Sequence, residues 1–568
     1  MLASARPDGF TEPLSDAGRA RVRGDVFYHL AGLAIAPTVT ALAGRGIPQW
    51  LADAEEPRTL EAAMLGTHVN AGYFRVALRL LASAGWLCEV STDVPGAPAY
   101  EVTARGREAL RVAPPLFEQV SSFIPHAIRI DDALFMERET GALPLLTHFA
   151  RRARQRWRLD SAVEDAVVRE QIRRYLDGML IGPVMVALAR RGVLARLLET
   201  ELDIDDIGGN RSALSCAFDL LTTQGWVVPS SSVIALTPEG RYAAQIAASY
   251  GVTVSYLPTF AQLTALIFGN ADLPRVDEHG DEALVDRAMN VWGSGGAHTT
   301  YFRKVDEIVI DIFNRPLEQQ PLGICDMGCG DGTLLAHLYT VVRDRTHRGA
   351  HLETHPLVLV GADFNKVARR ETTRKLRSEG IPSYQVIAGD INRPAYLANE
   401  LEKRGVDSHE LLHVRSFLDH NRPYTGLVDY KPHTRVSRST GAFAHRGRLI
   451  SPDELEENLV RHLRRWAPYA ARFGLLVLEL HTIPPTLTGE NLDRTPAIAY
   501  DATHGYSDQY LVEVPVFLAC AREAGLYSDP RFHARFPASD LATVTINFFS
   551  AHADNTSDTS IRHRQTAD

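Results

Sequence analysis

The sequence has few of the features that mark secreted and membrane proteins. It holds five cysteines in 568 residues, scattered and odd in number, with no CxxC pair. A disulfide framework and a zinc knuckle are therefore not expected, and a reducing cytoplasm is the predicted location. No uninterrupted apolar run is long enough to span a bilayer, and the first residues lack the apolar stretch of a signal peptide. We expect no membrane partner.

Positive charge is also scarce. Aspartate and glutamate number 69 against 60 lysines and arginines, which gives a net charge of −9. Nucleic-acid-binding proteins normally carry a basic face, so this balance argues against a nucleic-acid partner. The basic run at Arg151–Leu159 is typical of a solvated helix face. The apolar fraction of 45% and the chain length predict a globular protein of about two to four domains.

Two segments of the N-terminal half resemble each other. Gly32–Ile47 reads GLAIAPTVTALAGRGI and Gly178–Val193 reads GMLIGPVMVALARRGV. Each is followed by a Gly-Trp pair and then by a Thr-x-x-Gly-Arg turn, which ends at Arg107 and at Arg241. The repetition predicts a duplicated unit of helices and a short hairpin, as in winged helices. Because the chain is acidic and the third helix lacks basic residues, we expect dimerisation or lid formation rather than DNA binding.

The C-terminal half begins with a different pattern. From about Val305, apolar runs of strand length alternate with helical stretches, which predicts a doubly wound, mostly parallel sheet. The first strand ends in the motif D-x-G-x-G-x-G, with Asp326, Gly328, Gly330 and Gly332. Glycines in such a turn let the backbone approach a ligand closely. The motif resembles motif I of class I methyltransferases, which bind S-adenosylmethionine; an NAD-type site is the alternative.

Later features agree with a methyltransferase. Asp363 ends the second strand, where its two oxygens can accept both ribose hydroxyls, and Asp390 ends the third, where the family contacts the adenine. The chain then closes with a helix, a loop and the apolar run TVTINFFSA, as an antiparallel last strand would. A glycine cluster before the sheet suggests a lid over the cofactor. The predicted cofactor-binding residues beyond the motif are Asp363, Phe364, Asp390, Ile391, Gly295 and His298.

Polar side chains follow the fourth and fifth strands, where ligands of such sheets bind. An oxygen nucleophile needs only a base, often a histidine, whereas a carbon nucleophile needs a stabilised enolate, which a metal can supply as a Lewis acid. His481, after the fifth strand, could ligate iron or manganese together with Gln509 or Asp508. From the spacing alone, a buried histidine at a strand end is more often a hydrogen-bonded core residue or a general base than a metal ligand.

Four motifs carry a more specific resemblance: ELH, HGYSDQYLVE, SFLDHNRPY and TGAFAHRGRLI. They resemble the metal-dependent C-methyltransferases of polyketide loading modules, of the apratoxin, gephyronic acid and saxitoxin type. The resemblance runs from the second repeat to about Ala551. It implies a mononuclear iron or manganese between His481 and Gln509, which binds the malonyl group of an acyl-carrier-protein thioester. The methyl group goes to the malonyl α-carbon.

The resemblance also assigns roles around that centre. His504 and Asp508 would support the metal ligands or act as base. Arg422 would hold the malonyl carboxylate, and Asn421 or Asp419 would orient it. The family members are domains of large synthases, whereas no Asp-Ser-Leu carrier motif follows here. We therefore expect the chain to act in trans on a carrier protein or on a small-molecule acceptor, with a possible homodimer through the N-terminal region.

The predicted fold is α/β: a seven-stranded Rossmann-like methyltransferase sheet preceded by a mainly helical region with duplicated winged-helix-like units. The predicted segments are a disordered N-terminus 1–24, repeat 25–115, helical connector 116–165, repeat 166–250, helical lid 251–304, methyltransferase domain 305–552 and a disordered tail 553–568. One alternative function is metal-independent O- or N-methylation with His481 or His504 as base. The other is a regulator that uses the winged helices.

Overall fold

The computed structural model describes residues 14–551 except 65–67, 91–97, 137–140, 231, 273–282, 296–297 and 432–434. The predicted tail therefore lies outside the described residues, as do residues 1–13 of the predicted disordered N-terminus. From Asp16 onward that N-terminal segment is helical, so this part of the prediction is wrong. The chain forms two compact units. Unit 1 comprises 1–299, 440–451 and 482–511, and unit 2 comprises 300–439, 452–481 and 512–568. Two short segments of the predicted methyltransferase region thus cluster with the N-terminal half.

Unit 1 is mainly helical. Its helices are Asp16–Ala43, Ile47–Ala52, Leu60–Met64, Ala71–Ser83, Ala104–Ser121, Ile124–Ala127, Ile130–Phe135, Ala142–Arg154, Ala166–Arg190, Val193–Glu199, Ile204–Ile207, Arg211–Thr223, Pro238–Gln245, Gly251–Ser255, Leu257–Phe260, Leu263–Phe268, Arg287–Gly295, Pro485–Gly489 and Ala497–Gly505. Its strands are Arg58–Thr59, Leu87–Val90, Ala99–Val102, Leu202–Asp203, Val233–Ile234, Phe443–His445 and Arg448–Ile450. The strands pair into small antiparallel sheets, as wings do.

The structure confirms the duplication. The repeated sequences lie on two long helices, Asp16–Ala43 and Ala166–Arg190, which pack against each other. A Cβ atom on Gly32 would lie 2.3 Å from the carbonyl oxygen of Tyr175, and one on Gly178 would lie 2.4 Å from that of His29. Each helix therefore crosses the other at its own glycine, because only a residue without a side chain permits this approach.

The turn after each hairpin is built in the same way in both repeats. Thr103 and Thr237 each cap a helix by accepting a hydrogen bond from the amide three residues later, at 2.9 and 3.0 Å. Their hydroxyls donate to the carbonyls of the glycines that precede Trp86 and Trp226, at 2.8 and 2.7 Å. The shared Thr-x-x-Gly-Arg motif is therefore a helix N-cap, which explains why the sequence repeats it.

The helix Asp16–Ala43 is the one described helix that is long and apolar enough to cross a membrane by length and composition. Of its most apolar window, 78% is buried inside the protein. Burial on nearly all sides requires an apolar sequence in a core helix as much as a bilayer would. Its apolar composition therefore follows from its position at the centre of unit 1.

Unit 2 is built on one eight-stranded sheet. We label its strands β1 (Gly323–Met327), β2 (Val358–Asp363), β3 (Tyr384–Ala388), β4 (Leu411–Ser416), β5 (Leu475–Leu480), β6 (Tyr527–Ser528), β7 (Ala534–Phe536) and β8 (Val544–Ser550). The order along the sheet is β6-β8-β5-β4-β1-β2-β3, and β7 also pairs with β8. Strands β1 to β5 are parallel and β8 is antiparallel to β5. The seven strands of this path confirm the predicted fold, and the short β7 is the additional strand.

Helices accompany the sheet of unit 2, and the buried residues of β1, β4 and β5 form its core. The helices are His298–Phe313, Thr333–Arg345, Lys366–Ser378, Pro394–Glu402, Pro452–Ala470 and Val514–Glu523. The segment between the helix Thr333–Arg345 and β2, an insertion in the sheet, contains a short 3-10 helix, His347–His351. Because parallel strands end at the same edge, the residues that follow β1, β2, β4 and β5 lie along one side of the sheet.

Candidate functional site

The glycine-rich loop after β1 has the backbone that the motif predicts. Gly328, Gly330 and Gly332 have φ values of +83°, +55° and +82°. This left-handed region strongly favours glycine. A Cβ atom on Gly328 would also lie 2.9 Å from the Leu418 side chain, in the segment that follows β4. The loop therefore needs its glycines both for its conformation and for its contact with the next strand end.

Asp326 places a buried carboxylate at the end of β1, beside the glycine-rich loop. Asp326 is the last residue but one of β1 and is 2% exposed. Its Oδ1 has no hydrogen-bond partner among the described residues. Burial, and secondarily the nearby charge of Asp363, raises the pKa of Asp326 to about 7. An uncompensated buried carboxylate is costly, and an ammonium group would remove that cost. The site therefore fits the amino-acid end of S-adenosylmethionine.

The two other acids at strand ends shape the same edge. Asp363 Oδ2 accepts a hydrogen bond from the Gly330 amide at 3.1 Å, so the glycine loop and the end of β2 are joined. The next residue, Phe364, is 84% exposed, as a ring that can stack on a ligand would be. Asp390 Oδ1 accepts from the Asn392 amide at 2.8 Å, and the carbonyl of buried Ile391 accepts from a tryptophan at 2.7 Å.

The predicted lid residues can be placed only by the backbone. Gly295 is the last residue of the helix Arg287–Gly295, and His298 is the first residue of the next helix. Residues 296–297, between them, lie outside the described residues, and so does the side chain of His298. The role of this segment in cofactor binding stays a prediction.

A buried histidine–glutamate pair lies beyond β4 and β5, and the sequence analysis missed both of its members. Glu479 is the last residue but one of β5, and His420 is in the 3-10 turn Asp419–Asn421 that follows β4. The His420 Nδ1–H donates to Glu479 Oε1, and the His420 amide donates to Oε2 at 3.2 Å. Both side chains are buried. The carboxylate fixes the orientation and the tautomer of the ring, as general-base catalysis requires.

The turn that carries His420 is held by a second buried cluster. Arg415 donates to Asp419 Oδ1 at 2.6 Å, and His462 Nε2 lies 2.9 Å from the same oxygen. Burial alone would raise the pKa of Asp419, but Arg415 and His462 lower it. Arg422 donates to the Asp419 carbonyl at 2.8 Å. These residues therefore fix the shape of the turn.

The candidate acceptor-binding residues Asp419, Arg422 and Asn421 differ in their surroundings. Arg422 is buried, and its Nε donates to Asn458 at 2.9 Å. Asn421 is exposed at the end of the turn. The two buried charges thus serve the protein's own hydrogen bonds in the described structure, and only Asn421 faces outward. Their roles toward a malonyl carboxylate stay predictions.

His481 lies just beyond β5, fully buried. Its Nδ1 lies 3.1 Å from the Val512 carbonyl and its Nε2 lies 2.7 Å from the Thr545 hydroxyl. A carbonyl can only accept, so Nδ1 carries the proton and Nε2 accepts from Thr545. Burial lowers the pKa of His481 to about 3, so the ring is neutral. A metal would need the same Nε2 lone pair, and His481 therefore does not fit a metal ligand as it stands.

His504, Asp508 and Gln509 belong to unit 1, whereas His481 belongs to unit 2. His504 Nδ1 lies 2.7 Å from the Tyr500 carbonyl, and Asp508 accepts from Tyr73 at 2.7 Å. Gln509 Nε2 donates to Tyr256 and Ser507, each at 3.1 Å. A small polar cavity of unit 1 is lined by Arg79, Gly441, Ala442, Asp501, His504, Gly505, Gln509 and Leu511. Unit 1 thus brings two of the three predicted residues, His504 and Gln509, to one cavity.

The comparisons with solved structures give distant likenesses. The mitomycin 7-O-methyltransferase MmcR is 13% identical, with 68% of this chain and 98% of that chain covered and a TM-score of 0.42. The CurJ carbon methyltransferase is 14% identical, with 72% and 99% covered and a TM-score of 0.30. The C-methyltransferase domain of the citrinin polyketide synthase is 11% identical, with 76% and 97% covered and a TM-score of 0.33. No curated protein sequence matches the chain.

Three family models match the chain in order. Residues 22–89 match the AprA N-terminal domain, 177–270 the AprA winged helix domain, and 282–547 the AprA MT2-like methyltransferase domain. The second repeat is therefore a winged helix domain, and the sheet with its glycine loop is a methyltransferase domain. With the buried Asp326 beside that loop, the chain is an S-adenosylmethionine-dependent methyltransferase with the domain composition of the AprA type.

Proposed function

We propose that the chain is a C-methyltransferase of polyketide biosynthesis that methylates the α-carbon of a malonyl- or methylmalonyl-type acyl thioester in trans. One observation carries the proposal: the buried His420–Glu479 pair stands at the strand edge where the cofactor loop lies. Leu418, two residues before His420, contacts Gly328 of that loop. Strand β4 lies between β1 and β5, so the turn after β4 lies between the cofactor loop and Glu479.

The chemistry of the pair matches a carbon acid. S-adenosylmethionine, when bound, supplies an electrophilic methyl group. The hydrogen between two carbonyl groups is acidic enough for an imidazole to remove it, and His420 would take that proton on Nε2. Glu479, bonded to Nδ1, stabilises the imidazolium that results. The substrate carbanion then forms a carbon–carbon bond as the methyl–sulfur bond breaks, and the sulfonium becomes a neutral thioether.

Iron or manganese remains a prediction for this reaction, because His481 does not fit a metal ligand as it stands. The Nε2 of His481 is bonded to the Thr545 hydroxyl, so its lone pair is already used. A metal would also polarise the substrate carbonyls and stabilise the enolate. The methyl-transfer rate after dialysis against EDTA, and again after addition of Fe²⁺ or Mn²⁺, tests this part separately from the base.

The test uses the full-length protein, labelled S-adenosylmethionine, and malonyl- and methylmalonyl-carrier protein as acceptors. We expect intact-protein mass spectrometry to show the gain of one methyl group on a carrier, and the label to stay on the acid after mild alkaline hydrolysis. Label released by that hydrolysis would be an O-methyl ester, which would favour the alternative O-methyltransferase. No transfer to either thioester would remove this substrate class.

Three further statements stay predictions: a carrier protein as partner, the absence of a nucleic-acid partner, and a homodimer through the N-terminal region. Size-exclusion chromatography with light scattering tests the last. Salt-dependent retention on duplex DNA tests the second, because phosphate contacts weaken steeply with salt.

A further inference from the structure

The insertion before β2 holds three histidines that the proposed reaction does not use: His347, His351 and His355. The first two stand four positions apart at the ends of the 3-10 helix His347–His351. Their Nε2 atoms lie 3.2 Å apart, and their ring centroids 4.7 Å apart. The two nitrogens therefore converge on one point.

That separation is the one a shared metal ion imposes. Two imidazole nitrogens, each about 2.0–2.1 Å from a tetrahedral Zn²⁺, lie about 3.3 Å from each other. The other arrangement that gives such a distance is a hydrogen bond from one ring to the other, in which one ring supplies the proton. A single neutral pair can do this, so the distance alone does not choose between them.

The segment is built rigidly enough to hold the two rings ready. The His347 amide donates to Asn314 Oδ1 at 2.7 Å, and the His355 amide donates to the His351 carbonyl at 2.7 Å. Arg348, which lies between the two histidines in the sequence, is buried, and it donates to the carbonyl of His355 at 2.7 Å. A ligand pair that is ordered before binding loses less entropy when the ion arrives.

Gly349, at the centre of the 3-10 helix, also indicates that the segment is closely packed. A Cβ atom on Gly349 would lie 2.0 Å from the Arg343 carbonyl oxygen, so the turn is pressed against the end of the preceding helix. That helix starts at the cofactor loop and runs the length of the sheet, so its far end lies at the edge opposite the cofactor. The pair is thus remote from the methyl-transfer site.

We propose that His347 and His351 form a binding site for a divalent transition-metal ion of the zinc, nickel or copper type, with water in the remaining positions. Imidazole is a preferred ligand of these ions. The bound ion would tie the insertion into one piece and act on stability rather than on the chemistry. The site does not depend on the proposed function, and it is separate from the iron or manganese predicted at His481.

The experiment is calorimetric titration of the full-length protein with ZnCl₂ and with NiCl₂ at pH 7.5, on the wild type, H347A, H351A and H355A. His355 is the matched control, because its ring centroid lies 6.5 Å from that of His351 and its Nδ1 is bonded to Thr354. We expect H347A and H351A each to weaken zinc binding at least about tenfold, since loss of an outer-shell partner alone costs 10–100-fold. H355A should bind like the wild type.

Two further readouts keep the proposal falsifiable. Zinc should raise the melting temperature of the wild type but not of H347A, because an ion that binds only the folded protein stabilises it. The methyl-transfer rate should be equal in all four proteins, so failure of the site and failure of the proposed function are distinguishable. Unchanged zinc binding in H347A and H351A would overturn the proposal and leave a hydrogen bond between the rings.

Discussion

His420 and His481 stand beyond neighbouring strands, and both are buried, yet their surroundings differ in charge. The Nδ1 of His420 donates to the carboxylate of Glu479. His481 is bonded to a carbonyl and a hydroxyl, both neutral, and burial lowers its pKa to about 3. A carboxylate partner stabilises the protonated ring, whereas neutral partners do not. The comparison indicates that the partner, more than the position at a strand end, decides which histidine can serve as a base.

The largest effect should follow removal of the base. H420A leaves Glu479 without the ring and takes away the group that accepts the substrate proton. We expect kcat to fall by about 10²–10⁴-fold, as for other positioned acid–base groups. Steady-state methyl transfer to malonyl-carrier protein measures this. A rate within a few fold of the wild type would break the comparison, provided that circular dichroism shows a folded variant.

Removal of the charge that supports the base should have a smaller effect. Glu479→Gln keeps the size of the side chain but cannot stabilise an imidazolium. We expect a lower kcat, because the neutral amide does not stabilise the imidazolium that forms when His420 removes the substrate proton. An unchanged kcat would show that the carboxylate only shapes the turn.

The cofactor side should show a pH dependence set by Asp326. Its pKa is raised to about 7 by burial and by Asp363, so below that pH the carboxyl group is protonated and cannot pair with an ammonium. Binding of the cofactor must then release a proton. The affinity should therefore rise by up to about tenfold per pH unit until about pH 7 and then level off. Calorimetry at pH 6 and pH 8 measures this.

Asp326→Asn is the control for that titration. The amide carries no charge at any pH, so the variant should bind S-adenosylmethionine weakly and with no pH dependence between 6 and 8. A wild-type affinity that is flat over this range, or a variant that keeps the slope, would assign the titration to another group.

The smallest effect on catalysis should come from His481. His481→Ala leaves the Val512 carbonyl and the Thr545 hydroxyl buried without the ring, which costs stability by about 2–4 kcal/mol. We expect a lower urea midpoint but a near-normal kcat per folded molecule. A kcat that collapses while the fold survives, and that responds to added Fe²⁺, would reverse the comparison and make His481 the functional histidine.

Local patterns were sufficient for much of this molecule. The glycines after β1, the acids Asp326 and Asp363, and the duplicated helices are contiguous motifs, and each structural role follows from the motif itself. Backbone conformation and strand ends are local properties, so the sequence carries them directly.

The histidine–glutamate pair is different in kind. His420 and Glu479 are 59 positions apart and meet because β4 and β5 are adjacent parallel strands. The motifs SFLDHNRPY and ELH contain both residues, but the sequence analysis chose their neighbours Asp419, Arg422 and His481. A signal was present: Glu479 is a charged residue in an otherwise apolar strand, which requires a buried partner.

The crossing at Gly32 and Gly178 makes the two repeats depend on each other. The backbone of each long helix lies directly against the glycine of the other. A side chain at either position would therefore separate the same pair of helices. Duplicated segments usually diverge independently once each has its own core. Here a change in one repeat is compatible with the other only if both positions stay without a side chain, so the two helices are constrained together.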